Sequence, residues 1–111
     1  MNAPKNFDKI RTKRFTTPSG NQYKIGLEDW IRDERSLVWA FRQPDTTTYC
    51  LAIQFNWTTE TYEVKRAING QGTNWDKTLH EGNINKNAIK NMDEFIDWFS
   101  KVITVFEYDY K

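Results

Sequence analysis

His80 is the single histidine of the chain, so it carries any hypothesis of acid–base catalysis by an imidazole. Asp76 and Glu81 are near enough in sequence to orient it. A ribonuclease-like site would also need a cation to stabilise phosphate charge, and Lys65 or Arg66 on the neighbouring predicted strand would be the candidates. A lone histidine in a turn before a glycine is more typical of a surface position. A small ribonuclease-like toxin centred on His80 is therefore the third of three functions that the sequence leaves open.

Cys50 is the only cysteine, so no disulfide can form within the chain. A nucleophilic thiol needs a base and an electropositive, accessible setting, whereas Cys50 falls inside a predicted strand. One histidine and one cysteine match no metal-ligand spacing. Gly70-Gln71-Gly72 is a turn between strands, not a phosphate loop that leads into a helix. We therefore expect no catalytic residue, no metal and no cofactor, and we expect that the protein is not an enzyme.

Single-stranded nucleic-acid binding is the second function left open. Such proteins combine stacking aromatic side chains with a basic groove. Basic residues cluster near the N-terminus, where Asp8 is the only acid, and the candidate contacts are Lys9, Arg11, Lys13 and Arg14. Two observations weaken this alternative: the net charge is only +1, and the aromatic motif of RNA-binding sheets is absent. Nucleic acid remains an alternative partner.

Protein binding is the function that the sequence favours. Five tryptophans exceed what a small core comfortably hides, and surplus Trp and Tyr side chains are enriched at interface hot spots. The candidate protein-binding residues are Trp30, Trp75, Trp98, Tyr108 and Tyr110. Trp98 lies beside the apolar stripe of a predicted helix, and the two tyrosines stand between acids at the C-terminus. We expect a small non-enzymatic protein that occludes or scaffolds a protein partner, and a homodimer is compatible with this expectation.

The stretch from Thr48 to Ile68 is the strongest structural signal, because it predicts two long strands joined by a short turn. Large apolar side chains alternate onto one face of this hairpin: Tyr49, Leu51, Ile53, Phe55, Trp57, Tyr62, Val64 and Ile68. The helix is expected to cover that aromatic face. The opposite face carries Gln54, Asn56, Glu63 and Lys65, and we expect any functional surface of the hairpin to lie there.

A helix is predicted over residues 92–106. The Asn91 side chain can cap the first turn, and Glu94 can complete a capping box. Apolar residues then recur at three- and four-residue spacing: Met92, Phe95, Ile96, Phe99, Val102, Ile103 and Phe106. The β-branched residues at 102–105 would also suit a strand, but the period and the cap favour the helix.

These elements predict one α+β domain: a twisted antiparallel sheet of five to six strands with one C-terminal amphipathic helix packed on one face. We predict a basic polar arm at 1–11, a β-meander at 12–80, a polar loop at 81–91 and an acidic-aromatic tail at 107–111. The start has no secretory signal and no run is long enough to span a membrane, so we expect a cytoplasmic protein without a membrane partner. By analogy of shape alone, this layout is typical of immunity proteins, phage-encoded inhibitors and toxin–antitoxin components.

Overall fold

The structure, a computed structural model, describes residues 3–30, 34–43, 50–67 and 75–107. Within these ranges the chain forms one six-stranded antiparallel sheet whose strand order follows the chain. The strands are β1 (Arg14–Thr16), β2 (Gln22–Trp30), β3 (Arg35–Gln43), β4 (Cys50–Asn56), β5 (Thr61–Ala67) and β6 (Trp75–Asn83). A 3-10 helix spans Phe7–Thr12, and the α-helix, α1, spans Met92–Phe106. The predicted α+β class and the single C-terminal helix are therefore confirmed.

One face of the sheet packs against α1 and forms the hydrophobic core. Phe95, Phe99 and Ile103 are fully buried on the inner side of the helix. They meet the apolar face of the central hairpin, where the centroids of the Phe55 and Phe95 rings are 5.5 Å apart. The predicted cap is observed as well, because the Asn91 side chain accepts a hydrogen bond of 2.9 Å from the Glu94 backbone N–H. Local sequence signals thus place this helix on this face.

The prediction of a basic polar arm at residues 1–11 is wrong for the part that the structure describes. The 3-10 helix buries Phe7 and Ile10 in the core. The Phe7 ring makes edge-to-face contacts with Trp57 at 5.6 Å and with Phe95 at 5.1 Å. The sequence did not reveal this segment, because its two apolar residues stand among charged ones. Two apolar residues three positions apart are nevertheless enough to anchor a turn of 3-10 helix.

The prediction of a polar loop at 81–91 is too long at its start, because β6 continues to Asn83. Its last residues pair with β5, with Glu81 opposite Glu63 and Asn83 opposite Thr61. β6 is the edge strand next to β5, where polar side chains are tolerated because one side of the strand faces solvent.

The helices in the described ranges lack the length and apolar character that crossing a bilayer requires.

Candidate functional site

The structure describes the side chain of only one of the five predicted protein-binding residues. Trp30 pairs with Arg35 at the end of β2, and Trp75 pairs with Ala67 at the start of β6, but their side chains are outside the described part of the chain. Tyr108 and Tyr110 lie outside the described residues altogether. Trp98 is the one member of the set whose side chain can be placed.

The Trp98 indole lies at the margin of the core and is half-buried. It contacts the Tyr62 ring edge-to-face, with 5.2 Å between the ring centroids. The centroids of the Phe55 and Phe95 rings lie 5.9 Å and 6.0 Å from that of the indole. The rest of the side chain lines a groove of about 450 Å³ between α1 and the segment that precedes it. We call this the Trp98 groove; its lining residues are Asn87, Ala88, Asp93, Glu94, Asp97, Trp98 and Lys101.

The rim of the Trp98 groove is acidic. Asp93, Glu94 and Asp97 contribute three carboxylates, against the single ammonium of Lys101. The Lys101 Nζ lies 2.9 Å from a carboxylate oxygen of Asp97, so this cation is already engaged. Acids in the first turn also stabilise the helix dipole. The groove therefore presents an aromatic wall, and its charged lining side chains carry three negative charges and one positive charge.

A second groove, of about 490 Å³, lies on the sheet face opposite α1. Residues on alternate positions of β4 point away from the core, so the hairpin side chains that were predicted to be free of the core, Gln54, Asn56 and Glu63, line it. We call it the sheet groove. The side chains that line it on this face are Arg35, Gln54, Asn56, Thr61, Glu63, Glu81 and Asn83.

The four residues that were predicted to contact nucleic acid have different surroundings in the structure. The Arg11 guanidinium donates a 2.9 Å hydrogen bond to the Leu27 carbonyl and so straps the 3-10 helix to β2. Arg14 lies in β1 next to Phe15, whose ring packs 5.7 Å from Phe99 on the α1 side, so Arg14 points to the opposite face. Lys9 is exposed and Lys13 is half-buried.

His80 is exposed on β6 and stacks on an aromatic ring of α1. Its imidazole lies 5.8 Å from the Phe106 ring at an interplanar angle of 27°. His80 pairs with Val64 and therefore lies on the α1 side, whereas Lys65 lies on the opposite face. Among the described residues, no hydrogen bond joins the imidazole to a carboxylate. Arg66, the other candidate cation, pairs with the buried Leu51 and so lies on the same side of the sheet as His80, and the ribonuclease-like site stays a prediction.

Glu107 is a buried carboxylate at the position where the sequence predicts the start of an acidic-aromatic tail. It is 5% exposed at the C-terminal end of α1. The turn between β1 and β2 and the first residues of β2 surround it with donors. Thr17 Oγ1 (3.1 Å), Asn21 Nδ2 (3.0 Å) and the Tyr23 hydroxyl (3.0 Å) donate to Oε2, and Ser19 Oγ (2.5 Å) donates to Oε1. No local signal reveals this contact, because its partners lie 84 to 90 residues away in the chain.

The ionisation of Glu107 follows from this cage of donors. Burial acts to raise the pKa of the carboxyl group, but the hydrogen bonds from Ser19, Asn21, Tyr23 and Thr17 outweigh it and hold the pKa below its ordinary value of 4.5. A general base near neutral pH needs a higher pKa. The cluster therefore fits a structural latch between α1 and the first hairpin better than a catalytic site.

Trp39 of β3 lies on the same face of the sheet as the sheet groove. Its indole lies over Gly26 of β2, where a Cβ atom would come within 2.2 Å of Trp39 Cε2. The Phe41 ring contacts it edge-to-face at 5.7 Å. The indole Nε1 is buried and has no hydrogen-bond partner among the described residues. The contact between Trp39 and Gly26 depends on the pairing register of β2 and β3, which no local sequence pattern reveals.

Comparisons of the chain with protein families, with curated proteins and with solved structures find no match. In the described ranges there is also no group of three or more His, Cys, Asp or Glu side chains placed to hold a metal ion. The two grooves are therefore interpreted from their own chemistry.

Proposed function

We propose that this protein is a non-enzymatic binding protein that acts through contact with a protein partner at the Trp98 groove. The observation that carries the proposal is the half-buried Trp98 indole in a groove rimmed by three carboxylates and one ammonium. Interfaces combine an apolar centre with a polar rim, and tryptophan is among the residues most enriched at their hot spots. The groove has both parts.

The neighbouring surface of α1 extends the apolar contact. Val105 is 69% exposed and is the large apolar side chain that stands out on the described surface. It lies seven residues after Trp98, close to two helical turns, so both project from nearly the same side of the helix at a separation of about 10 Å. A partner segment along α1 would meet both side chains.

The charge of the rim determines the chemistry of that partner. Three carboxylates attract a basic segment and repel a phosphate backbone, so the surface suits a protein that presents lysines or arginines beside an apolar anchor. Occlusion of such a segment is how an inhibitor, immunity or accessory protein would act. For the nucleic-acid alternative, the acidic rim offers no support.

Site-specific cross-linking tests the proposal. A photoreactive amino acid replaces Lys101 at the rim in one variant and the exposed Lys24 on the opposite face in another, and both variants are irradiated in cells of the source organism. We expect a protein that cross-links from position 101 and not from position 24, and that binds the purified wild-type chain. Equal capture from both positions, or captured nucleic acid alone, would reject the Trp98 groove as the binding site.

A rim variant then establishes whether the captured protein uses the predicted charges. Asp93→Asn/Glu94→Gln/Asp97→Asn removes three negative charges at the rim. Asp8→Asn/Glu28→Gln/Glu34→Gln removes the same charge from exposed positions elsewhere, and so serves as the matched control. Because the rim acids also favour the helix dipole, circular dichroism must show that α1 is retained.

A further inference from the structure

The sheet groove is built from two parallel rows of side chains that cross three or four strands. The first row follows the pairing Arg35–Asn56–Thr61–Asn83. The second row follows the pairing Leu37–Gln54–Glu63–Glu81. Leu37 is fully buried, so its row presents polar groups only from β4 onward. Since both rows lie on the face opposite α1, the core does not need these polar side chains.

The charges of the groove are separated across the sheet. Arg35 lies on β3 at one end, while Glu63 and Glu81 lie directly opposite each other on β5 and β6. Carboxylates that face each other across two strands destabilise the pairing unless a cation lies between them. Lys65 approaches Glu63 at 3.9 Å, but among the described residues no cation pairs with Glu81. A ligand cation at this end would relieve the repulsion.

The side chains between these ends are amides and a hydroxyl. Gln54, Asn56 and Asn83 can each donate and accept hydrogen bonds, and the Thr61 hydroxyl can do the same. A peptide backbone offers the complementary alternation of N–H and C=O groups. The groove therefore has a negatively charged end, a positively charged end and, between them, groups that complement an extended polypeptide.

Sheet geometry sets the length of that polypeptide. Two strand spacings and a shift of two residues put the Cα atoms of Arg35 and Glu63 about 12 Å apart. In an extended chain, residues i and i+4 point to the same side and lie about 13 Å apart. We propose that the sheet groove binds an extended protein segment with a basic and an acidic side chain four residues apart. The basic side chain lies between Glu63 and Glu81, and the acidic one pairs with Arg35. This site is separate from the Trp98 groove.

A synthetic peptide tests this inference without knowledge of the natural partner. The probe is acetyl-Gly-Lys-Ser-Thr-Ser-Asp-Gly-amide, which has the required spacing. The control is acetyl-Gly-Ser-Lys-Asp-Thr-Ser-Gly-amide, which has the same composition but adjacent charges. Both are titrated to millimolar concentration into ¹⁵N-labelled protein. We expect the probe to shift the amide signals of β4, β5 and β6 along the two rows, and to bind more tightly than the control.

Variants at the two ends of the groove complete the test. Each end of the groove would form an exposed ion pair with the probe. Glu63→Gln/Glu81→Gln and Arg35→Gln should therefore each raise the dissociation constant of the probe about fivefold. Asp93→Asn/Asp97→Asn, at the Trp98 groove, should leave probe binding unchanged. The inference is overturned if the probe produces no shifts, if the control peptide binds equally well, or if the end variants bind as wild type. None of these results would bear on the Trp98 groove.

Discussion

Replacing Glu107 by glutamine perturbs the latch between α1 and the first hairpin while it preserves side-chain size. The carboxylate accepts four hydrogen bonds, three of them on Oε2. A glutamine can keep its carbonyl oxygen at that position, and the Ser19 hydroxyl can turn to accept from the new amide. The variant then loses only the extra strength that the negative charge gives the hydrogen bonds, and the easier burial of a neutral group offsets part of that loss. We expect the free energy of unfolding to fall by about 1–2 kcal/mol at neutral pH.

Replacing Glu107 by alanine is expected to cost more. The Tyr23 hydroxyl is fully buried and would lose the carboxylate oxygen that accepts from it at 3.0 Å, whereas Thr17 Oγ1 also lies 2.8 Å from Ser19 Oγ. Removing the acceptor of a buried donor costs about 1–3 kcal/mol and all four hydrogen bonds to the carboxylate are lost together, so Glu107→Ala should destabilise the fold by about 3–4 kcal/mol. Urea denaturation followed by circular dichroism measures both variants, and Glu34→Gln at an exposed turn position is the matched control, with a change within about 0.5 kcal/mol.

The lowered pKa of Glu107 predicts how its contribution to the stability of the fold changes with pH. Because the pKa of Glu107 is lowered in the folded state, its contribution to stability is present above the pKa of the unfolded chain. The contribution is lost as the pH falls through the lowered folded value. The stability gap between wild type and Glu107→Gln should therefore close below a pH of about 4.5. A Glu107→Gln protein as stable as wild type at neutral pH, or a gap that does not change with pH, would refute the latch.

Three further predictions concern the framework that holds the grooves. Phe7→Ala should destabilise the protein by about 3–5 kcal/mol, because the ring packs between Trp57 and Phe95; the same loss for the exposed Asp8→Ala would argue against this explanation. Gly26→Ala should cost about 1–3 kcal/mol and shift tryptophan fluorescence, because the new methyl group meets the Trp39 indole; the cost should largely vanish in a Trp39→Leu background. Asn91→Ala should cost about 1 kcal/mol through loss of the helix cap, while Asn91→Asp should keep most of the stability; thermal denaturation distinguishes the two.

Sequence reasoning succeeds where the physical cause is local. The helix at 92–106 is predicted correctly because its cap, its acidic first turn and its apolar period all lie within about fifteen residues. The central hairpin is predicted for the same reason, since alternation of Leu51, Ile53 and Phe55 requires no knowledge of their partners. The face with Gln54, Asn56 and Glu63 follows directly from that alternation.

Sequence reasoning fails where the cause is a contact between distant segments. Phe7 and Ile10 stand among charged residues, and only the sheet and helix they meet reveal them as core. Glu107 resembles a tail residue until the turn between β1 and β2 surrounds it. The two rows of the sheet groove depend on the register of four strands, which a single sequence does not specify.

The central claim is that a basic protein partner binds the acidic Trp98 groove. Its most direct test is isothermal titration of the partner cross-linked from position 101 against three chains: wild type, Asp93→Asn/Glu94→Gln/Asp97→Asn, and the charge-matched Asp8→Asn/Glu28→Gln/Glu34→Gln. We predict a dissociation constant about tenfold or more weaker for the rim variant, wild-type binding for the matched control, and affinity that falls as salt is added. Equal dissociation constants for all three chains would contradict the claim.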